Sequence, residues 1–156
     1  MGYPPRCHPP TARVAPQGKI SVPGQSDLVR VGGLDVWVSS TGVSTHMTAT
    51  RSAMYDCVPP SDACSTLFVS GVTEHSVECY GKMDLIFHCE QDVHVTLNDV
   101  AFVPGLSCNY FSLHVVQEST NVVLDSAGVH LMNGRLFFPR GETHCQLTAT
   151  RIAKRS

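Results

Sequence analysis

An all-β fold, a small closed barrel carrying one short helix, is what the pattern of this chain predicts. Three observations carry the prediction. The apolar runs are short and biased to β-branched and aromatic residues, turn residues separate them at close intervals, and one stretch alone has helical spacing. Closing the sheet on itself is how many short strands dispose of their open edges.

The elements follow in order. Residues 1–27 are rich in Pro, Gly and Ser and read as a disordered lead-in. Leu34 to Val38 is a buried strand that runs into a tight polar turn holding Gly42. Ser44 to Thr50 suits a turn, leading to a short helical or irregular segment near Ala53 to Tyr55. Pro59-Pro60-Ser61-Asp62 breaks the chain. Leu67–Val69 and Ser76–Tyr80 read as two strands of a hairpin turning through Gly71 to Glu74. Gly81 punctuates the next run, Met83 to Cys89. Val93 to Val100 alternates apolar and polar residues, the mark of a half-buried strand, and Pro104-Gly105 closes it. Asn109 to Glu118 is the expected helix, with Phe111, Val115 and Val116 near helical spacing. Val122–Leu124 and Val129–Leu131 form a further hairpin, and Asn133-Gly134 is a two-residue turn before Leu136 to Phe138. One barrel domain is expected over 28–140, with 141–156 as a C-terminal tail.

Composition narrows the function. A length of 156 residues fits one domain with a real core. Thirteen acidic residues against eleven basic ones leave a net charge of −2, which argues against a nucleic-acid partner. No apolar run is long enough to span a bilayer, so no membrane partner is expected. Met1 to Pro16 lacks the apolar core of a secretory signal, and an intracellular chain is expected. The seven cysteines include no Cys-x-x-Cys pair and their count is odd, so free thiols are expected, with neither a disulfide framework nor a metal site. No cofactor is implied.

The stretch Trp37-Val38-Ser39-Ser40-Thr41-Gly42-Val43-Ser44-Thr45-His46-Met47-Thr48 carries the functional signal. It resembles the protease start of copia-type retrotransposon Pol polyproteins, whose pattern runs Trp-x-x-Asp-Ser/Thr-Gly-Ala-Ser/Thr-x-His-Met/Leu-Thr. Trp37, Thr41, Gly42, Ser44, His46, Met47 and Thr48 match it. Two later segments, Leu97 to Leu106 and Asn109-Tyr110-Phe111-Ser112-Leu113, resemble the family's Leu-x-Asp-Val-Leu-x-Val-Pro-x-Leu and Asn-Leu-Leu-Ser-Val in the same order. The resemblance implies a retropepsin-like barrel, working as a homodimer, that holds a peptide beneath a flap tipped by Gly71. No integrase, reverse transcriptase or nucleocapsid segment accompanies it, so an isolated fragment of such an element is expected.

Ser40 stands where the resemblance puts the catalytic Asp. Aspartic proteases need two facing carboxylates that share a proton, one acting as base and the other as acid. A neutral hydroxyl does neither, and proton transfer supplies about 10²–10⁴-fold per group. The degenerate triplet Ser40, Thr41 and Gly42 therefore implies a catalytically inactive relic. Two alternatives stand beside it: a peptide-binding module using the protease cleft, and a residual hydrolase with Ser40 as nucleophile and His46 as base. Val43, where the family has a small Ala, crowds the same loop. Asp125-Ser126-Ala127-Gly128 imitates the lost triplet with one residue too many and reads as an ordinary turn acid.

Overall fold

A computed structural model describes residues 30–31, 33–69 and 73–152. The expected lead-in over 1–27 and the expected flap tip Gly71 lie outside the described residues.

The strands, in chain order, are β1 (Arg30–Val31), β2 (Leu34–Ser40), β3 (Met47–Thr48), β4 (Met54–Val58), β5 (Thr66–Val69), β6 (Thr73–Ser76), β7 (Cys79–Phe87), β8 (Val93–Phe102) and β9 (Asn109–Ser112). A single helical turn α1 (Leu113–Val116) follows, then β10 (Val122–Asp125), β11 (Gly128–Leu131), β12 (Leu136–Pro139) and β13 (Cys145–Ile152). Six strands close a barrel in the order β2, β13, β7, β8, β3, β9, and β9 returns to pair with β2. That closing pair is parallel, as is β3 with β8; the other ring pairs are antiparallel. Strands paired on both edges and covered on both sides read as continuous apolar runs, and β2 is buried at Asp35 through Val38. Among the described residues no helix is long and apolar enough to cross a membrane.

Five expectations about the elements need correction. The hairpin strand expected over Ser76–Tyr80 is Thr73–Ser76, with Glu74 opposite Phe68, and Tyr80 belongs to β7. The segment near Ala53 to Tyr55 is not helical: Met54–Val58 is an edge strand on β7. The expected helix over 109–118 shrinks to Leu113–Val116, because Asn109–Ser112 is drawn into the ring between β2 and β3. All four residues of β9 are buried, so tertiary pairing overrides a helical spacing. The tail expected from 141 instead carries β13, which fills the gap between β2 and β7 and takes the barrel past residue 140. Gly81 does not end a strand either; it lies within β7.

Two bulges face each other across β7. Between Gly81 and Met83, β8 runs from Val100 to Leu97 and carries one extra residue; Asp99, at φ 55°, absorbs it. Between Lys82 and Tyr80, β4 runs from Tyr55 to Val58, and Asp56, at φ 54°, does the same.

Alternation along the shared strands splits the interior in two. Trp37, Leu85, Phe87, Val100, Phe111 and Leu147 join Val129, Leu131, Leu136 and Phe138 from the sheet of β10, β11 and β12. Their neighbours Val38, Ala101 and Tyr110 face the other way and pack with Met47 and with Leu67 and Val69 of the β5–β6 hairpin. Each strand thus supplies both clusters at period two. An ion pair anchors β13: Arg151 Nε and Nη2 donate to the two Asp35 carboxylate oxygens at 2.8 and 3.0 Å.

Candidate functional site

The turn after β2 is built from buried polar groups that satisfy one another. Ser40 ends β2 and is 7% exposed. Its Oγ accepts the Gly42 N–H at 2.8 Å, a local serine turn that folds the chain back. Parallel pairing sets Ser40 beside Ser112 at the end of β9. Ser112 Oγ donates to the Val43 carbonyl at 2.9 Å and accepts the Val115 N–H at 3.2 Å, so one hydroxyl holds the turn and caps α1. Thr45 Oγ1 donates to the Asp99 carbonyl at 2.9 Å, on the β8 bulge. Deeper in, Thr48 Oγ1 donates to Asn109 Oδ1 at 2.7 Å, and Asn109 Nδ2 donates to the Val36 carbonyl at 3.0 Å. Val43 is fully buried, so the crowding expected of it is met by packing in the β5–β6 cluster.

His46 is 2% exposed and packs on Phe111, ring centroids 5.0 Å apart. The Ser112 N–H donates to His46 Nδ1 at 2.9 Å. That bond fixes the chemistry of the ring, since a nitrogen that accepts carries no proton, and in the neutral imidazole the proton then sits on Nε2. Nδ1 is committed to a backbone donor and Nε2 carries the proton. Neither nitrogen of that tautomer is placed to take a proton from a serine.

A cleft of about 410 Å³ opens between β8, α1 and the β11–β12 turn. His46, Leu97, Asp99, Phe111, Met132 and Leu136 help to line it. Ser40, Thr41 and Gly42 do not, so the turn after β2 and this cleft are different places. Thr41 is exposed, whereas Ser40 and Gly42 are buried.

Two groupings escaped sequence reasoning. His88 Nε2 lies 2.7 Å from Thr150 Oγ1, and His88 Nδ1 lies 3.1 Å from Asp92 Oδ1. This chain of hydroxyl, imidazole and carboxylate ties the β7–β8 turn to β13, and none of its three members lines the cleft. Thr150 and His88 are 62 positions apart, and only the register of β13 on β7 brings them together. The second grouping is Cys57 with Cys79: burial first, and the neighbouring Cys57 thiol next, push the Cys79 thiol up. Cys57, Cys79, Cys89, Cys108 and Cys145 are free thiols, but Cys64 is disulfide-bonded, which the expectation of free thiols missed. Burial pushes the Cys108 thiol up to about 11. Among the described residues no three His, Cys, Asp or Glu side chains gather in a metal-ligating group.

A family model described as "Pol polyprotein, beta-barrel domain" matches residues 37–121, from Trp37 in β2 to beyond α1. No curated protein and no solved structure matches the chain.

Proposed function

The chain belongs to the Pol polyprotein beta-barrel domain family, and on that premise we propose that it is a copia-type, retropepsin-like protease barrel that has lost its catalysis. It is an intracellular barrel that pairs with a second copy across the turn after β2. The observation that carries the reading is Ser40: a neutral hydroxyl ends the strand at the junction where such a protease needs an acid, and its Oγ is engaged by the Gly42 N–H. A turn that keeps its hydrogen bonding while lacking a carboxylate has kept the scaffold without the base. Two acids of the ring strands have other tasks, Asp35 with Arg151 and Asp99 at the β8 bulge.

The two alternatives are less well supported. A Ser40–His46 hydrolase needs an imidazole nitrogen free to accept, and the Ser112 amide occupies Nδ1. A peptide module using the protease cleft needs a cavity at the triplet, and the cleft of about 410 Å³ lies elsewhere.

The test is a peptide-library assay from acid to neutral pH. The purified chain should cleave nothing above buffer, and pepstatin-sensitive turnover would refute the reading. Ser40→Asp, with or without Val43→Ala, should restore weak acid-optimum cleavage that scales with the dimer fraction. Restoration independent of concentration would remove the two-fold site.

A further inference from the structure

Cys57 and Cys79 stand together on the bulged edge of the barrel. Cys57 lies in β4 and Cys79 opens β7, and the two strands are antiparallel. The extra residue in β4, Asp56 at φ 54°, re-aims the residue that follows it. Cys57 is thereby set over Gly81: a Cβ built on Gly81 would lie 2.8 Å from Cys57 Sγ and 2.9 Å from the Tyr55 carbonyl. Only a glycine leaves room for the sulfur at that point. Cys79 is two residues from Gly81 on the same strand and so shares its face. Burial first, and the neighbouring Cys57 thiol next, push the Cys79 thiol up, while the Arg51 charge opposes that shift. Both cysteines are free and half-buried, within reach of a small solute.

We propose that Cys57 and Cys79 are a redox modification site, forming a reversible disulfide by exchange with a small disulfide such as oxidised glutathione. One cysteine thiolate attacks a sulfur of the oxidant, breaking its S–S bond and expelling one glutathione thiolate. The second cysteine thiolate then attacks the protein sulfur of this mixed disulfide and expels the other. The two protons of the cysteines pass to the two glutathione thiolates, so the chain is oxidised by two electrons and the oxidant is reduced to two thiols. The bond would close the loop from 57 to 79, which contains the whole β5–β6 hairpin, and would staple that hairpin at its base. A closed loop of this size raises stability by restricting the unfolded chain.

The test uses the full chain in excess oxidised glutathione, followed by alkylation, digestion and peptide mapping. A peptide linking Cys57 to Cys79, two hydrogens lighter than its separate parts, is expected, and glutathione with reduced thioredoxin should reverse it. Cys57→Ser should leave Cys79 holding glutathione as a mixed disulfide, and Cys79→Ser should do the same for Cys57. Gly81→Ala keeps both thiols but drives a methyl group into Cys57 Sγ, and should slow the linkage by about tenfold or more. If that variant does not fold, the two serine variants decide alone. Recovery of both cysteines unlinked from the wild-type chain, each alkylated or each glutathionylated, would overturn the proposal. Linkage in Gly81→Ala at the wild-type rate would overturn the role of the glycine notch.

Discussion

Ser40 and Asp125 do the same work on the backbone in opposite surroundings. Ser40 Oγ accepts the N–H of Gly42 at 2.8 Å, and Asp125 Oδ1 accepts the N–H of Ala127 at 2.8 Å and of Gly128 at 3.2 Å. Each side chain bonds the amide two residues on, and each turn follows a strand. Ser40 is buried against β9, while Asp125 is exposed and faces His130 at 3.0 Å. The hydrogen bond from His130, with the Ala127 amide next, holds the Asp125 carboxyl below the usual carboxylate range. A turn of this kind accepts either side chain, so hydration decides between them. Water supports an ionised acid at 125, whereas at 40 a lone acid would be charged inside the protein. The chain has its acid at the exposed turn and a neutral hydroxyl at the buried one.

Exchanging the two side chains tests this contrast, and the largest effect belongs to Ser40→Asp. Burial penalises a carboxylate at this position, and its folded pKa rises above the unfolded value. We expect a loss of about 4 kcal/mol at pH 7, the cost of holding an Asp protonated there. A group with a raised folded pKa is unpenalised below its unfolded pKa and costs more as pH rises. Thermal melts should therefore show a smaller deficit near pH 4 than at pH 7. An equal deficit at both would mean that residue 40 is hydrated.

Ser40→Ala comes next. It removes the acceptor of the buried Gly42 N–H without adding charge, and should cost about 1–2 kcal/mol, independent of pH between 4 and 7. Denaturant unfolding measures it, and a neutral result would show that water replaces the hydroxyl.

Asp125→Ser should have the smallest effect and the opposite pH dependence. The serine still reaches the Ala127 amide, so only the carboxylate's bonds to His130 and Gly128 are lost. A depressed carboxyl stabilises above its unfolded pKa, and that benefit disappears as pH falls through the folded one. The small drop in Tm at pH 7 should vanish in acid. A drop that grew in acid would reverse the assignment of the His130 contact.

What the sequence by itself determined is the local chemistry. The period-two alternation of Val93 to Val100, the Asp125 turn and the Leu34 to Val38 run each depend on nearest neighbours along the chain, and each appears as expected apart from a residue or two at its ends. The hydroxyl at position 40 was equally plain, since it is a matter of identity rather than of place. Tertiary structure alone decided the rest. Asn109–Ser112 carries a helical spacing, yet the open edges of β2 and β3 capture it, because a paired and buried strand gains more than four residues of helix. The last ring strand, β13, lies beyond residue 140, and nothing short of barrel closure distinguishes its mixed sequence from a tail. His46 acquires a fixed tautomer only when the Ser112 amide, 66 positions away, meets its Nδ1. The notch that seats Cys57 exists only where two bulged strands pass the one residue that has no side chain. Contacts of this kind link residues far apart in the chain, and no local pattern in the sequence encodes them.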